Sequence, residues 1–358
     1  MLMGQGMAQA APLDEIRQIL RRYALIPPTE SLLVALSEEH LAGGLRGIDP
    51  YARFFKAGEY RSPGLGSDSW IGIGANLVVR GGEAFLVVYK DGAADLAGLP
   101  DRSKLLSIDG QTIVGLPIEA VADQLKGGEG TVVTLFIERP DGRRTRIQVE
   151  RRAFTPLDVE PEPSGTRQVL RIREFVSGVT RPALLATIDF LNRNATVQAS
   201  AAVAMLVIDL RDAGGGDLYE AFDMAGLFLP TGAVLGTLSG RDGEHNEFRA
   251  PAGIKFDTPL ALLVGPDTAS AAEVFAGTLQ QHGRAKLVGQ RTYGKCSSQT
   301  DVRLSDGSVL RYTNREVLLP DGSSCSDVGL QPDREVEAIV FSDIALLMAE
   351  VDEVFWGQ

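Results

Sequence analysis

Two short runs limit what this chain can fold into. Ala204–Leu210 (A-M-L-V-I-D-L) and Leu260–Val264 (L-A-L-L-V) are apolar at nearly every position. A strand with one wet face would alternate, so continuous apolar runs of this length point to strands covered on both faces. Helical spacing follows each run, over Tyr219–Leu229 and Ser270–Gln280. With strand Val169–Arg173, helix Arg181–Asn192 and strand Ala285–Val288, the order predicts an α/β layer around a largely parallel sheet. A hairpin then joins Gln299–Leu304 to Val309–Thr313 around Asp306-Gly307.

The flanks read differently. Leu13–Tyr23 has helical spacing and stops at Pro27-Pro28. Thr29 opens a second helix to about Leu41, which Gly43-Gly44 should end. An irregular stretch begins at Asp49-Pro50-Tyr51 and includes Pro63, Gly64 and Gly66. From Trp70 the strands Ile71–Val79, Ala84–Tyr89, Leu105–Gly110, Thr131–Glu138 and Arg144–Glu150 surround a turn or short helix at Gly92–Gly98 and a helix at Ile118–Leu125. Pro156–Gly165, rich in proline and acid, reads as a linker. Phe341, Ile344, Met348, Val351 and Phe355 form the stripe of an amphipathic C-terminal helix. No internal repeat interrupts this order.

Composition narrows the function. The 358 residues allow two or three domains at about 150 residues each. Lys+Arg 35 against Asp+Glu 47 gives a net charge of −12, which disfavours nucleic acid and anionic lipid as partners. No apolar run reaches the ~20 residues of a membrane span. His40, His245, His282, Cys296 and Cys325 are scattered, so no metal site is expected. The start is not an intact signal peptide, though Ala8-Gln9-Ala10 has the small-x-small form of a cleavage site. A plain Ala/Gly/Met-rich tail and the trimmed remainder of an export signal both fit.

Three segments carry chemistry. Gly265–Glu273 (G-P-D-T-A-S-A-A-E) leads from an apolar strand into a helix, which puts Ser270 over the helix N-terminus. Ser270 there is either a nucleophile or a helix cap. No His stands in a triad pattern, G-x-S-x-G is absent, and no Lys follows a Ser by three residues. Lys295, just past a strand after Tyr293-Gly294, is the candidate base; otherwise it is a surface charge. As a base it must be neutral, so its pKa has to fall by about 3 from about 10.4, which burial away from acids can supply. Gln299 could hydrogen-bond the amine without adding charge. Leu206–Asp217 ends in Gly214, Gly215 and Gly216, whose N–H groups could form an oxyanion hole with that of Ala271, unless this is a plain βα turn. Gly289–Cys296 nearly fits a phosphate loop, but Cys296 replaces the Ser/Thr and a strand pattern follows instead of a helix, so nucleotide binding is not expected.

Together these motifs resemble the C-terminal processing, or tail-specific, serine peptidases, over about Asp49 to Asp333. The family's D-L-R-x-N-x-G-G corresponds to Asp209–Gly216, S-A-S-E to Ser270–Glu273, and R-A-x-L-V-G-x-x-T-[FY]-G-K-x-x-x-Q to Arg284–Gln299. L-S-D-G-S, P-D-G and G-[IL]-x-P-D correspond to Leu304–Ser308, Pro320–Gly322 and Gly329–Asp333. Departures are Ala213 for Asn, Ala272 for the second Ser, and Cys296 for Gly. The resemblance implies Ser270 as nucleophile, Lys295 as base, Gln299 as its orienter, and Gly215, Gly216 and Ala271 as oxyanion donors. It implies no cofactor. The segment around Trp70 to Arg152 resembles a PDZ domain, with Ile71-Gly72-Ile73-Gly74 where that family's carboxylate-binding loop lies.

The expected architecture is therefore α/β, multidomain: a crotonase/ClpP-like protease core (154–337) with an inserted PDZ domain (67–153), a helical N-terminal segment (1–66) and a C-terminal amphipathic helix (338–358). The expected activity is endoproteolysis by a Ser-Lys dyad on proteins whose exposed, apolar C-termini the PDZ domain selects. The alternatives are a latent protease awaiting an adaptor and a non-catalytic scaffold. The apolar faces of the terminal helices could drive homo-oligomerisation or pack on the chain's own core. Cys296 and Cys325 could form a disulfide linking the catalytic strand to the P-D-G loop. The family implies a periplasmic, envelope or secreted location.

Overall fold

The two apolar runs lie side by side in one sheet of the computed structural model, which describes residues 12–60, 70–80, 82–116, 118–154, 159–164, 167–197, 205–253 and 256–357. Ala8-Gln9-Ala10, Pro63, Gly64 and Gly66 lie outside the described residues.

The N-terminal segment forms α1 (Leu13–Tyr23), α2 (Glu30–Val34), α3 (Leu41–Ile48) and β1 (Arg53–Phe55). Thr29 caps α2, accepting from the Leu32 N–H at 3.4 Å. The second helix stops at Val34 instead of near Leu41, and Gly43 and Gly44 lie inside α3 instead of ending a helix. Burial of Leu33, Leu36, Leu41 and Leu45 in one cluster outweighs the weak helix propensity of glycine. A Cβ on Gly44 would stand 2.8 Å from Leu36 Cδ2, so a larger residue there would make the Leu36 side chain shift.

The segment expected to be a PDZ domain comprises β2 (Trp70–Gly72), β3 (Ala75–Arg80), β4 (Glu83–Val88), α4 (Ala93–Leu96), β5 (Ser103–Ile108), β6 (Gln111–Thr112), α5 (Ile118–Leu125), β7 (Val132–Glu138), β8 (Arg144–Glu150) and β9 (Arg152–Phe154). Its main sheet has the order β3-β4-β5-β7-β8, with β6 beside β5 and β2 paired to β9. Ile73, Leu86, Leu105, Val133, Leu135 and Val149 fill its own core. β3 is an edge strand.

The remainder is β10 (Val159–Ser164), β11 (Arg167–Ile172), α6 (Thr180–Val197), β12 (Leu206–Asp209), α7 (Leu218–Gly226), β13 (Val234–Gly240), β14 (His245–Arg249), β15 (Leu260–Val264), α8 (Ala271–Gln281), β16 (Ala285–Gly289), β17 (Ser297–Arg303), β18 (Val309–Leu318), β19 (Arg334–Glu335), α9 (Ala338–Ser342) and α10 (Ile344–Trp356). The sheet β10-β11-β12-β15-β16-β19 is parallel except for β10, which runs antiparallel to β11. Part of the expected linker is thus a strand. Pro161 and Pro163 are tolerated because β10 is an edge, where missing N–H groups cost no ladder bond. A second sheet, β1-β18-β13-β14 with β17 on β18, includes β13 and β14, which the sequence patterns had not marked.

The parallel sheet is covered twice. Leu170, Ile172, Leu206, Ile208, Leu260 and Leu262 face one cluster with α7 and α8. The alternating residues Val169, Val207, Ala261, Leu263 and Val288 meet Phe341, Leu347, Met348 and Val351 of α9 and α10. The C-terminal apolar stripe therefore covers the chain's own sheet. Asp343 breaks it into two helices by capping α10 at the N–H groups of Ala345 (2.8 Å) and Leu346 (3.2 Å).

The PDZ segment is clamped to this core by buried charge. Arg102 bonds Asp212 through both terminal nitrogens, at 3.0 and 2.5 Å. Arg171 bonds Asp101 at 3.0 Å, and Arg173 donates to the Val88 carbonyl at 2.7 Å. Among the described residues no helix is long and apolar enough to cross a membrane.

Leu347 is fully buried between α10 and the sheet. Leu347→Ala is expected to cost about 2–5 kcal/mol of unfolding free energy, read by chemical denaturation. An unchanged midpoint would show that α10 is not part of the folded core.

Candidate active site

Three loops leave the carboxyl ends of β12, β15 and β16 and meet at one cleft. That is where parallel α/β sheets generally place ligands. Buried Thr268 ties the first two loops: its hydroxyl donates to the Leu210 carbonyl at 2.8 Å and accepts from the Gly265 N–H at 2.9 Å. The Ala269 N–H donates to the Ala213 carbonyl at 2.9 Å, and the Tyr293 N–H to the Thr268 carbonyl at 3.0 Å.

Ser270 stands at the sharp turn into α8 with φ 58° and ψ −122°. A non-glycine residue held there costs of order 1–3 kcal/mol, so the surroundings must impose it. Gly215 packs directly against it: a Cβ on Gly215 would lie 2.7 Å from the Ser270 Cβ, and φ there is 112°. Gly216 is equally confined, with the Phe175 carbonyl oxygen 2.3 Å from its would-be Cβ. Among the described residues the N–H groups of Gly215, Gly216 and Ala271 have no hydrogen-bond partner. Ala271 opens α8, so its N–H also carries the positive end of the helix dipole.

Glu273, fully buried on α8, organises the site. One carboxylate oxygen accepts from the Thr292 hydroxyl (2.5 Å) and the Gly294 N–H (2.8 Å). The other accepts from the Ser270 N–H (3.0 Å) and the Lys295 N–H (2.7 Å). One side chain thus fixes the backbones of both candidate reactive residues. The S-A-A-E run by itself gives this glutamate no role. The signal was present, because Ser followed by Glu three residues later is the capping-box spacing.

Lys295 and Ser270 line the same cleft, of about 360 Å³, with Phe175, Gly216, Gln299 and Arg311. No hydrogen bond joins the two side chains here, as is common before substrate closes a site. Burial holds the Lys295 amine below the ordinary lysine value, and Arg311 lowers it further. Asp49 and Glu273 oppose this without reversing it. The Nζ lies 4.9 Å from the centre of the Tyr51 ring. Tyr51 lies in an irregular stretch of the sequence, and no local pattern connects it to Lys295.

Gln299 also lines the cleft, but its amide donates to the Ser297 hydroxyl (3.0 Å) and the Thr313 hydroxyl (3.2 Å), not to Lys295. Cys296 and Cys325 are joined in a buried disulfide with a Cα–Cα distance of 5.2 Å. It fastens the loop after Lys295 to the turn at residues 325–329, where the Asp327 N–H donates to the Gly294 carbonyl at 2.9 Å.

Behind the glycine loop, burial opposes ionisation of Asp209, but Arg211 and Arg171 hold its carboxyl well below the usual range. Arg211 bonds it at 2.9 and 2.7 Å. In the PDZ segment, Ile71-Gly72-Ile73-Gly74 spans β2 and the turn into β3. Gly74 has φ 66° and lies against the Ala93 N–H, and the N–H groups of Ile73 and Gly74 have no partner among the described residues. No cluster of three or more His, Cys, Asp or Glu among the described residues could hold a metal.

Residues 169–336 match the model of peptidase family S41, and residues 85–139 match a PDZ domain model. The "Probable CtpA-like serine protease" of Staphylococcus haemolyticus is 30% identical over 317 residues, covering 87% of this chain and 62% of that protein. Its Staphylococcus epidermidis counterpart is 29% identical over 303 residues, covering 84% and 60%. The chain thus spans about three-fifths of the curated relatives it matches. The photosystem II D1 C-terminal processing protease shares the fold at TM-score 0.65 and 23% identity, over 95% of each chain. Mature CPAF, solved with lactacystin, does so at TM-score 0.56 and 12% identity, over 96% of each.

Glu273→Ala leaves the buried Gly294 N–H and the part-buried Ser270 and Lys295 N–H groups without acceptors, at up to about 1–3 kcal/mol each. A loss of several kcal/mol in denaturant unfolding is expected, and a loss under about 1 kcal/mol would contradict the anchoring role. Opening the disulfide frees a loop closed across 29 residues, worth about 3–4 kcal/mol on chain-entropy grounds. Thermal unfolding with and without reductant should show that loss, and two free thiols in native protein would exclude the bond.

Proposed function

Residues 169–336 of the chain belong to peptidase family S41 and residues 85–139 to the PDZ domains, and we propose that the protein is a serine endopeptidase acting through a Ser270–Lys295 dyad. The observation that carries this is the shared Glu273 carboxylate, which presents a strained serine and a lysine of lowered pKa to one cleft.

In this reading Ser270 Oγ attacks a backbone carbonyl while Lys295 Nζ takes its proton. Negative charge develops on the carbonyl oxygen, and the N–H groups of Gly215, Gly216 and Ala271 are the donors for it. Removing one such donor typically costs 10²–10³ in rate. The lysine ammonium then protonates the leaving amine as the C–N bond breaks. Water, deprotonated by the same amine, releases the acyl group from Ser270. No step needs a cofactor. Gln299 steadies the site from the side, through Thr313.

The PDZ segment is proposed to choose substrates by their C-terminal tails. Support comes from the edge strand β3 and the unpartnered amides of Ile73 and Gly74, which suit strand addition and carboxylate capture. The Arg102–Asp212 pair connects this segment to the start of the glycine loop. The buried disulfide agrees with an exported protein working in an envelope or extracellular compartment.

The test is incubation with an unfolded protein bearing an apolar C-terminus, and with its tail-amidated form, beside Ser270→Ala and Lys295→Ala. Mass spectrometry should show fragments with the native protein only, and fewer from the amidated substrate. Since the base works only when neutral, kcat/KM should rise with pH to an inflection below the ordinary lysine value of about 10.4. Cleavage retained in both variants would refute the dyad. No cleavage by any of the three would favour a protease awaiting an adaptor.

A further inference from the structure

A lysine base must stay dry enough to be neutral and still receive a proton. The wall that meets the Lys295 amine comes from the N-terminal segment, outside the matched peptidase residues. Tyr51 presents its ring there, with Nζ 4.9 Å from the centroid. Burial is the largest cause raising the Tyr51 phenol above its ordinary value, with Tyr293, Asp327, Glu273 and Asp49 adding to it. The ring is therefore an uncharged aromatic face at neutral pH, not an anion.

The ring is held in place by a relay. The Tyr51 N–H donates to Asp49 Oδ1 at 2.9 Å. Asp49 in turn accepts from the Thr313 N–H (2.7 Å) and hydroxyl (3.1 Å). The same Thr313 hydroxyl accepts from the Gln299 amide at 3.2 Å. Beyond Tyr51 the chain enters β1, which pairs with β18 from Arg53↔Arg311 onward. Gln299 thus reaches the turn that carries Tyr51 and makes no bond to the lysine.

We propose that Tyr51 is a positioning residue whose ring face holds the Lys295 amine in the cleft and stabilises the ammonium formed when Ser270 gives up its proton. The N-terminal segment thereby completes the active site. This rests on the Ser270–Lys295 reading. The proton moves from Ser270 Oγ to Lys295 Nζ as the Oγ–C bond forms, and the new positive charge lies over the electron-rich ring. The other charged groups acting on Nζ are Glu273 on α8, Arg311 on β18, Arg53 on β1 and Asp49 in the turn. Two are cationic and two anionic, and the Tyr51 ring stands beside them as a neutral face 4.9 Å from Nζ.

The experiment compares Tyr51→Leu with Tyr51→Phe. Leucine keeps the wall apolar but removes the ring, so the ammonium is less favoured and the lysine pKa falls. In Tyr51→Leu, kcat should fall about tenfold with KM within about twofold. The Lys295 pKa should move down by about a half to one pH unit. That pKa is read without activity, by trace acetylation with acetic anhydride across pH and mass spectrometry of the Lys295 peptide. Tyr51→Phe should restore most of the lost kcat and the native pKa. Thr313→Val, which removes the hydroxyl link between Gln299 and Asp49 but keeps the Thr313 N–H bond to Asp49 and leaves the ring untouched, should give a smaller effect in kcat and serves if Tyr51→Leu does not fold. An unmoved Lys295 pKa and native kcat in Tyr51→Leu would overturn the proposal, as would Tyr51→Phe being as impaired as Tyr51→Leu. If Ser270→Ala still cleaves, the dyad fails, and acetylation still reports whether Tyr51 governs the lysine.

Discussion

The carboxylate of Glu273 is the constraint on which the rest of the site depends. It has no access to water, and its four hydrogen bonds reach the turn before α8 and the loop after β16. A buried carboxylate is tolerable only when its oxygens are satisfied. Here three backbone N–H groups and one hydroxyl do that, and each is fixed in return. The unfavourable backbone angles of Ser270 persist because the Glu273 bond, the contact with Gly215 and the Ala269–Ala213 bond act on neighbouring atoms. Helix capping and site assembly are the same interaction.

The parallel sheet explains why these loops meet. Its strands alternate between two buried clusters, so neither face can slip toward solvent without moving every side chain to the wrong core. With register fixed, the carboxyl ends of β12, β15 and β16 align and their loops converge. Charge buried at one of those ends is neutralised locally, by Arg211 and Arg171 around Asp209. The next acid, Asp212, is neutralised by Arg102 of the PDZ segment. The glycine loop therefore hangs between a rigid sheet and a domain that can move relative to it only by breaking a buried ion pair.

Lys295 shows how a lysine amine is kept below its ordinary pKa by withholding partners. Acids are near enough to be felt, yet Glu273 gives its oxygens to backbone N–H groups and Asp49 to Tyr51 and Thr313. Burial and Arg311 then outweigh them. The Cys296–Cys325 bond and the contact of Gly294 with the turn at residues 327–329 hold the adjoining backbone.

Much of this was legible in the chain. Helix α1, helix α5 and strand β15 have the spans their spacing predicts, because each is decided by local periodicity and its terminators. The motif order identified the family and singled out Ser270, Lys295 and the glycines. What failed locally failed for tertiary reasons. Gly43 and Gly44 stay helical because Leu41 and Leu45 are buried, and Pro161 and Pro163 lie in a strand because it is an edge. The sequence by itself determined which residues are apolar, where glycine is required and which side chains can do chemistry. Only the tertiary structure decided that Glu273 would bond the backbones of both Ser270 and Lys295, that Gln299 would turn to Thr313, and that Tyr51 would meet Lys295. Those contacts join segments far apart in the chain, and no pattern of near neighbours encodes a distance that only folding creates.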